Sequence, residues 1–344
     1  MQGEDLASLN QGAGLKKGVW IAYPYRKAFC MSFEVVICTE SGYLENLSRF
    51  LVFSLRTYGG QYSNVPIYSY SPRAKNKVSQ ETVRFFEQYQ VEYVDLELNT
   101  SFLNYPLANK PLACSHREQN SKSKVIVFLD SDVLFLGEPS EFTNLEGADV
   151  MLRPVDRKNA GTDDSDSNVD YWDALYSELE ITNPRYVTTT VDGRTVREYY
   201  NSGHIIKSAE TDLFQAWEEN FRRVMQARLS PRRGPLFIEQ SVFSATVTQM
   251  ELNVKRLAKE YNFPSHSARA MTNEEYRVSE PNTLISVHYH KSMCSKKRYR
   301  SFRETLQDFG EYSHIFPLLE EFGVVQLTPV LVTQLARLMR VFKR

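Results

Sequence analysis

The chain has 344 residues, enough for one large α/β domain or two smaller ones. Its 41 Lys and Arg against 42 Asp and Glu leave a formal net charge of −1, so no global basic field draws it to nucleic acid. No apolar run reaches the roughly 18 residues of a spanning helix, and the scattered Cys30, Cys38, Cys114 and Cys294 form neither a CxxC pair nor a disulfide framework.

Residues 1–30 read as a polar arm without the apolar segment of a secretory signal, so a reducing, cytoplasmic setting is expected. A first strand is predicted at Phe33–Cys38. It passes through Thr39–Tyr43 into a helix over about 43–57, with Leu44, Leu47, Leu51 and Leu55 on one stripe and Gly59-Gly60 at its end. Val65–Tyr70 and Val91–Leu96 are predicted strands around a helix at Ser79–Gln88, with Val83 and Phe86 facing in. Lys110–Asn120 reads as the helix leading into Val125–Leu129, a strand buried on both faces. Asp149–Arg153 is a further strand, and 156–170 an acidic loop. Val187–Thr190 and Arg194–Tyr199 form a hairpin about Asp192-Gly193. Tyr200–Lys207 is a small-residue turn running into a strand. Helices follow at Asp212–Arg228 and Ile238–Met250, and a last strand at Leu284–His290, before a Lys/Arg cluster from Lys291 to Arg300.

Strands alternating with helices predict an α/β fold, a mostly parallel sheet covered by helices, whose site lies off the carboxyl ends of the strands. Thr39–Tyr43 and Asp130–Asp132 both fall at such ends. From Thr328-Pro329 a helical tail is predicted, with Leu331, Leu335, Leu338 and Phe342 on one stripe among basic residues. That tail, 329–344, either docks on the body or lies on an anionic membrane surface.

The chemistry is concentrated at Val125–Leu136, VIVFLDSDVLFL. Two carboxylates between apolar runs are costly to bury unless paired or on a metal. In extended chain, residues i and i+2 share a side about 6.6 Å apart. Asp130 and Asp132 are therefore expected to converge on one divalent cation, with Ser131 turned away. His288 and His290, two apart on the last strand, are further candidate ligands. Asn201-Ser202-Gly203 offers short polar groups for hydroxyls, while Glu239-Gln240 opens a helix.

These segments together resemble the nucleotide-sugar glycosyltransferases of GT-A fold, and within them the glycogenin and galactosyltransferase branch, family 8. FLDSDVLFL is similar to their DxD segment, and Asn109-Lys110-Pro111-Leu112 to the segment entering the preceding helix. Tyr200-Asn201-Ser202-Gly203, Glu239-Gln240 and Val287-His288-Tyr289-His290 are similar to their F-N-S/A-G, D-Q and I-H-Y/F elements. The resemblance covers about residues 33–300 and implies a GT-A domain over 31–300 with a C-terminal helical extension, 301–344. It implies Mn²⁺ (or Mg²⁺) on Asp130, Asp132 and a histidine from 288 or 290. Thr39 and Tyr43 would hold the base and ribose, Lys296 the diphosphate, and Lys110, Asn201, Glu239 and Gln240 the donor sugar. Ser131 and Ser202 complete the expected donor contacts. The donor expected is a nucleotide-diphosphate sugar, UDP-sugar first, and the acceptor a hydroxyl of a glycan, lipid or protein. The family's G-x-x-K-P-W ending is replaced here by KSMCSKKRY, and Glu239 stands where Asp is usual. The branch is retaining; were the enzyme inverting, Glu239 would be the first candidate base. Two rival readings of the same residues are a haloacid-dehalogenase-type phosphatase, with Asp130 as nucleophile, and a non-catalytic sugar-nucleotide or glycan-binding scaffold.

Overall fold

The computed structural model describes residues 33–232 and 234–326. The four predicted strands β1 (Glu34–Cys38), β2 (Ile67–Tyr70), β3 (Val91–Val94) and β4 (Val125–Leu129) lie in the order β4-β1-β2-β3, all parallel. Past β4 the sheet continues through β9 (His204–Ser208), β6 (Val150–Leu152) and β10 (Val254–Arg256), giving seven strands. Only β9 opposes its neighbours, β4 and β6; β6 and β10 are parallel.

Each face of this sheet is covered by helices. On one side α1 (Tyr43–Tyr58) buries Leu47, Leu51 and Leu55. Leu44, on the same predicted stripe, stays 38% exposed at the mouth of a crevice. Gly42 begins α1 at φ 93°, and its N–H donates to Glu45. Glu45 also takes the hydroxyl of Thr82, in α2 (Gln80–Gln88), so one carboxylate fixes the starts of two helices. In α2 it is Thr82 with Phe86 that is buried, and Val83 is half-exposed. The other face carries α3 (Asn109–Asn120), α5 (Leu213–Gln226) and α6 (Ile238–Gln249), with α4 (Val169–Glu178) alongside. Trp172 and Trp217 are fully buried there. The helix α4 has no counterpart among the predicted elements, because it follows directly on the acidic stretch that reads as loop.

A small second sheet decides where the site forms. β5 (Val133–Phe135) leaves β4 at once and pairs antiparallel with β11 (Ser286–His288). The last strand is therefore shorter than predicted and ends at His288. The hairpin β7 (Tyr186–Thr188) to β8 (Thr195–Arg197) forms as the Asp-Gly signal predicts, with Gly193 at φ 65°. Helices α7 (Lys296–Phe309) and α8 (Ile315–Glu321) pack with β11 and with Phe50 of α1 in one apolar cluster. No described helix is long and apolar enough to cross a membrane. The predicted tail, 329–344, lies outside the described residues.

Candidate functional site

All five residues of β4 are buried, and the chain re-enters the core at β5 just three residues later. The link cannot stay extended across that step. Val133 N–H donates to Asp130 O at 3.2 Å, closing a tight turn over Asp130–Val133. This corrects the extended-chain expectation: the change of sheet requires a reversal. Ser131 Oγ donates to Cys38 O at 3.0 Å and receives Ser48 Oγ at 3.1 Å, so it is turned into β1 rather than toward a ligand. The two carboxylates remain about a quarter exposed on the crevice side.

The register of β11 on β5 sets His288 opposite Val133, one residue beyond Asp132. Its Nε2 lies 3.0 Å from Asp132 Oδ1 and 4.0 Å from Asp130 Oδ2. On the other ring edge Nδ1 donates to Asn262 Oδ1 at 3.0 Å, which orients the ring. Burial pushes the His288 imidazole down, but Asp132, Asp130 and Asp156 together outweigh it, and the net shift is upward. Burial likewise pushes Asp132 up, and His288, His290 and Lys110 bring it well below the usual carboxylate range. His290 is not on the strand, as the sequence had it. It follows in a short helical turn at φ 45°, a left-handed conformation uncommon for a non-glycine residue. That turn stacks its ring on His288 at 3.7 Å, so both histidines reach the site by different geometry from the predicted alternation. Burial, then the neighbouring His288 and His266, hold His290 well below an ordinary imidazole.

Beneath the acids lies Lys110, on the first turn of α3. Its Nζ is 2.8 Å from Asp130 and 3.6 Å from Glu239. Those carboxylates outweigh its burial and hold the ammonium charged. Glu239, on the first turn of α6, is 2% exposed, and burial followed by Asp130 pushes its carboxyl up to about 7 against the pull of Lys110. Ser202 also hydrogen-bonds its side chain. Gln240 follows, half-buried. Asn201 accepts Gly203 N–H at 2.9 Å, closing the turn into β9. At Gly203 a Cβ would fall 2.4 Å from Asp130 Oδ2 and 2.8 Å from the His288 ring, so any larger residue would displace these two side chains.

The crevice in front has a volume of about 590 Å³ and opens at the switch point between β1 and β4. Tyr43, Leu44 and Leu103 give it apolar walls. Thr39 does not face it. As the next residue after β1 it is fully buried, bonding Ser48 and Ser69 at 2.8 and 2.7 Å. Glu40 takes its place, holding Arg73 and Asn109 at 2.7 and 2.8 Å. Tyr43 lines the crevice while donating its hydroxyl to Val324 O at 2.6 Å. Lys296 lies elsewhere, exposed at the start of α7 beside Tyr299 and Arg300; Lys291 is the lysine of that cluster lining the crevice. Sequence reasoning missed Glu40, Asn109, Arg73 and Asn262. Glu40 and Asn109 sat inside segments already singled out, whereas Arg73 and Asn262 carry no local signal.

A divalent cation suits this donor set. Asp132, His288 and His290 each offer a ligand atom within 4.8 Å of the others, and Asp130 Oδ2 is in reach of His288. The carboxylate oxygens match the ligand preference of Mn²⁺ or Mg²⁺, and the imidazole nitrogens that of softer divalent ions. Among solved structures, the apo form of the WbbM bifunctional glycosyltransferase resembles the chain at 16% identity with a TM-score of 0.50, over 88% of this chain and 53% of that one. The galactosyltransferase LgtC, solved in complex with donor and acceptor sugar analogs, aligns at 12% identity and TM-score 0.47, over 80% and 96%. Mouse xyloside xylosyltransferase 1 aligns at 13% and 0.44, over 74% and 97%. No curated protein sequence matches the chain. The sheet, its switch-point crevice and the WbbM likeness agree on a GT-A architecture, and the model of the Rhodobacterales glycosyltransferase domain matches residues 35–251, more than half of the chain. The chain therefore belongs to that family and is a glycosyltransferase.

Proposed function

We propose that this glycosyltransferase, allied to family 8, moves a hexosyl group with retention from a nucleotide-diphosphate sugar, UDP-sugar first, to a hydroxyl of a glycan, lipid or protein. The observation that carries the reading is His288, brought by a distant strand to 3.0 Å from Asp132 and 4.0 Å from Asp130 on the wall of the crevice. Asp130, Asp132 and His288 would hold Mn²⁺ or Mg²⁺. When bound, the ion supplies positive charge to the leaving diphosphate.

The chain's own residues do the rest. Lys110 stays cationic under Asp130 and fixes that carboxylate's direction. Lys291, exposed at the crevice edge, supplies the second positive charge in the role first assigned to Lys296. Glu40, Arg73 and Asn109 form a rigid polar rim for ribose and base, with Tyr43 and Leu103 as apolar walls. Asn201 and Gln240, both half-buried, would take the donor sugar, and Ser202 and Glu239 position Lys110 from below. Glu239 has too little exposure to meet an acceptor hydroxyl, which favours retention over the inverting alternative. The family assignment displaces the phosphatase reading, and the closely set Asp132 and His288 speak against a decayed scaffold. The reading includes a cytoplasmic enzyme whose residues 329–344 either dock on the body or touch an anionic membrane surface; vesicle sedimentation with and without that segment separates the two.

The functional test is a panel of UDP- and GDP-sugars with Mn²⁺, read as nucleotide release, with the anomeric configuration of the product read by NMR. Release from a UDP-sugar that disappears with chelator supports the proposal. Inorganic phosphate release from sugar phosphates, or nucleotide binding with no turnover for any sugar, would refute it.

A further inference from the structure

A second group of ligating side chains stands on the far side of His290. Asp156, His266 and His290 each offer a ligand atom within 4.8 Å of the others, and the two groups that hold this pattern among the described residues meet at His290. The three residues come from separate stretches: the loop after β6, the loop after Pro264, and the turn after β11. His266 Nε2 is 3.8 Å from Asp156 Oδ2, and the His266 and His290 rings meet edge to face at 4.5 Å. Thr190 Oγ1 donates to Asp156 Oδ1 at 3.1 Å, fixing the carboxylate with its other oxygen toward His266. Such support behind a ligand is usual at metal sites. Ser267 Oγ also lies 3.2 Å from His266 Nε2.

The left-handed turn at His290 is what makes the cluster. A non-glycine residue at φ 45° is kept only where surroundings demand it. In an ordinary strand continuation, His290 would lie on the same face as His288 about 6.6 Å along, rather than stacked on its ring at 3.7 Å. Both groups of three hold one carboxylate and two imidazoles, and the second carboxylate, Asp130, is what sets the first apart. The site at Asp130 and Asp132 is oxygen-rich and has His288 of its own. The second group has two imidazoles and one carboxylate, the set that suits a borderline ion such as Zn²⁺ with a coordination position left open.

We infer that Asp156, His266 and His290 form a second divalent-cation site, selective for Zn²⁺-like ions, which clamps the loop after β6 to the wall of the donor crevice. His290 then serves this second ion, and His288 the first. The charge around it is mixed: Arg157 is nearby but faces Asp192 at 4.0 Å, and Asp192 takes Arg194 as well.

The test is the number of Zn²⁺ ions bound per untagged chain, by equilibrium dialysis with Zn²⁺ alone, together with the visible absorption of the Co²⁺ form. The wild-type chain is expected to bind two. His266→Ala and Asp156→Asn should each lose one, with the four-coordinate Co²⁺ band, and keep the ion that Asp132→Asn loses. Asp132→Asn should keep the band. His266 is 42% exposed, so its removal leaves the core intact, and circular dichroism checks this. Full binding and an unchanged Co²⁺ spectrum in both His266→Ala and Asp156→Asn would overturn the inference. So would a single wild-type ion that only Asp132→Asn removes. A single ion lost in His266→Ala but kept in Asp132→Asn would support this site while counting against the donor site.

Discussion

Glu239→Gln should make the protein's stability less sensitive to pH, by an amount that the burial of this carboxyl sets. Burial raises Glu239 from 4.5 to about 7. At about 1.4 kcal/mol per pKa unit, that corresponds to about 3.4 kcal/mol between the two protonation states. The folded form binds the proton more tightly than the unfolded form does. The contribution is therefore fully present below the unfolded value and lost as pH rises through about 7. Between about pH 5 and about pH 8 the wild type should lose about 2.5 kcal/mol from this group alone. Glutamine keeps the shape and cannot ionise. Urea unfolding followed by the fluorescence of the buried Trp172 and Trp217 reads the difference directly. Because other groups are common to both proteins, the variant's stability relative to wild type should rise by about 2.5 kcal/mol from the lower to the higher pH. A relative stability that stays constant across that interval would refute the placement of an ionisable carboxyl under Lys110.

Gly203→Ala places a Cβ 2.4 Å from Asp130 Oδ2, so the carboxylate must move; Mn²⁺ affinity should fall at least about 10-fold with the far-UV spectrum unchanged. Asn262→Ala removes the partner of His288 Nδ1 and should weaken Mn²⁺ binding by about 10–100-fold, measured by isothermal titration. Lys110→Met leaves Asp130 and the buried Glu239 without their shared cation, and turnover should fall by about 100-fold or more in a nucleotide-release assay. Phe128→Ala in β4 should cost about 3–5 kcal/mol in urea unfolding, since the ring is fully enclosed.

The parts of the fold with a local cause were legible in the sequence. VIVFL is apolar at every position and forms a strand buried on both faces. Asp192-Gly193 forms the hairpin, and the leucine stripe of α1 faces in at three of its four positions. The parts that depend on distant partners were not. Thr39 and Glu40 are adjacent polar residues, and nothing in their own segment tells which one the end of β1 turns inward. His288 and His290 satisfy a strand spacing, yet the strand stops at His288 because its partner, β5, has only three residues to pair with. Leu44 fits a core stripe, but at the first turn of α1 it lines the crevice and stays exposed. Lys291 and Lys296 are indistinguishable in a basic run, and the turn between them points them to different surfaces.

On the proposed function, Asp130 and Asp132 hold a cation for the diphosphate of a nucleotide sugar. UDP binding to wild type and to Asp132→Asn, titrated with and without Mn²⁺, tests it most directly. Mn²⁺ should tighten UDP binding to the wild type and leave Asp132→Asn at the metal-free affinity, with turnover of the UDP-sugar substrate abolished. Mn²⁺-enhanced UDP binding with near-normal turnover in Asp132→Asn would contradict it.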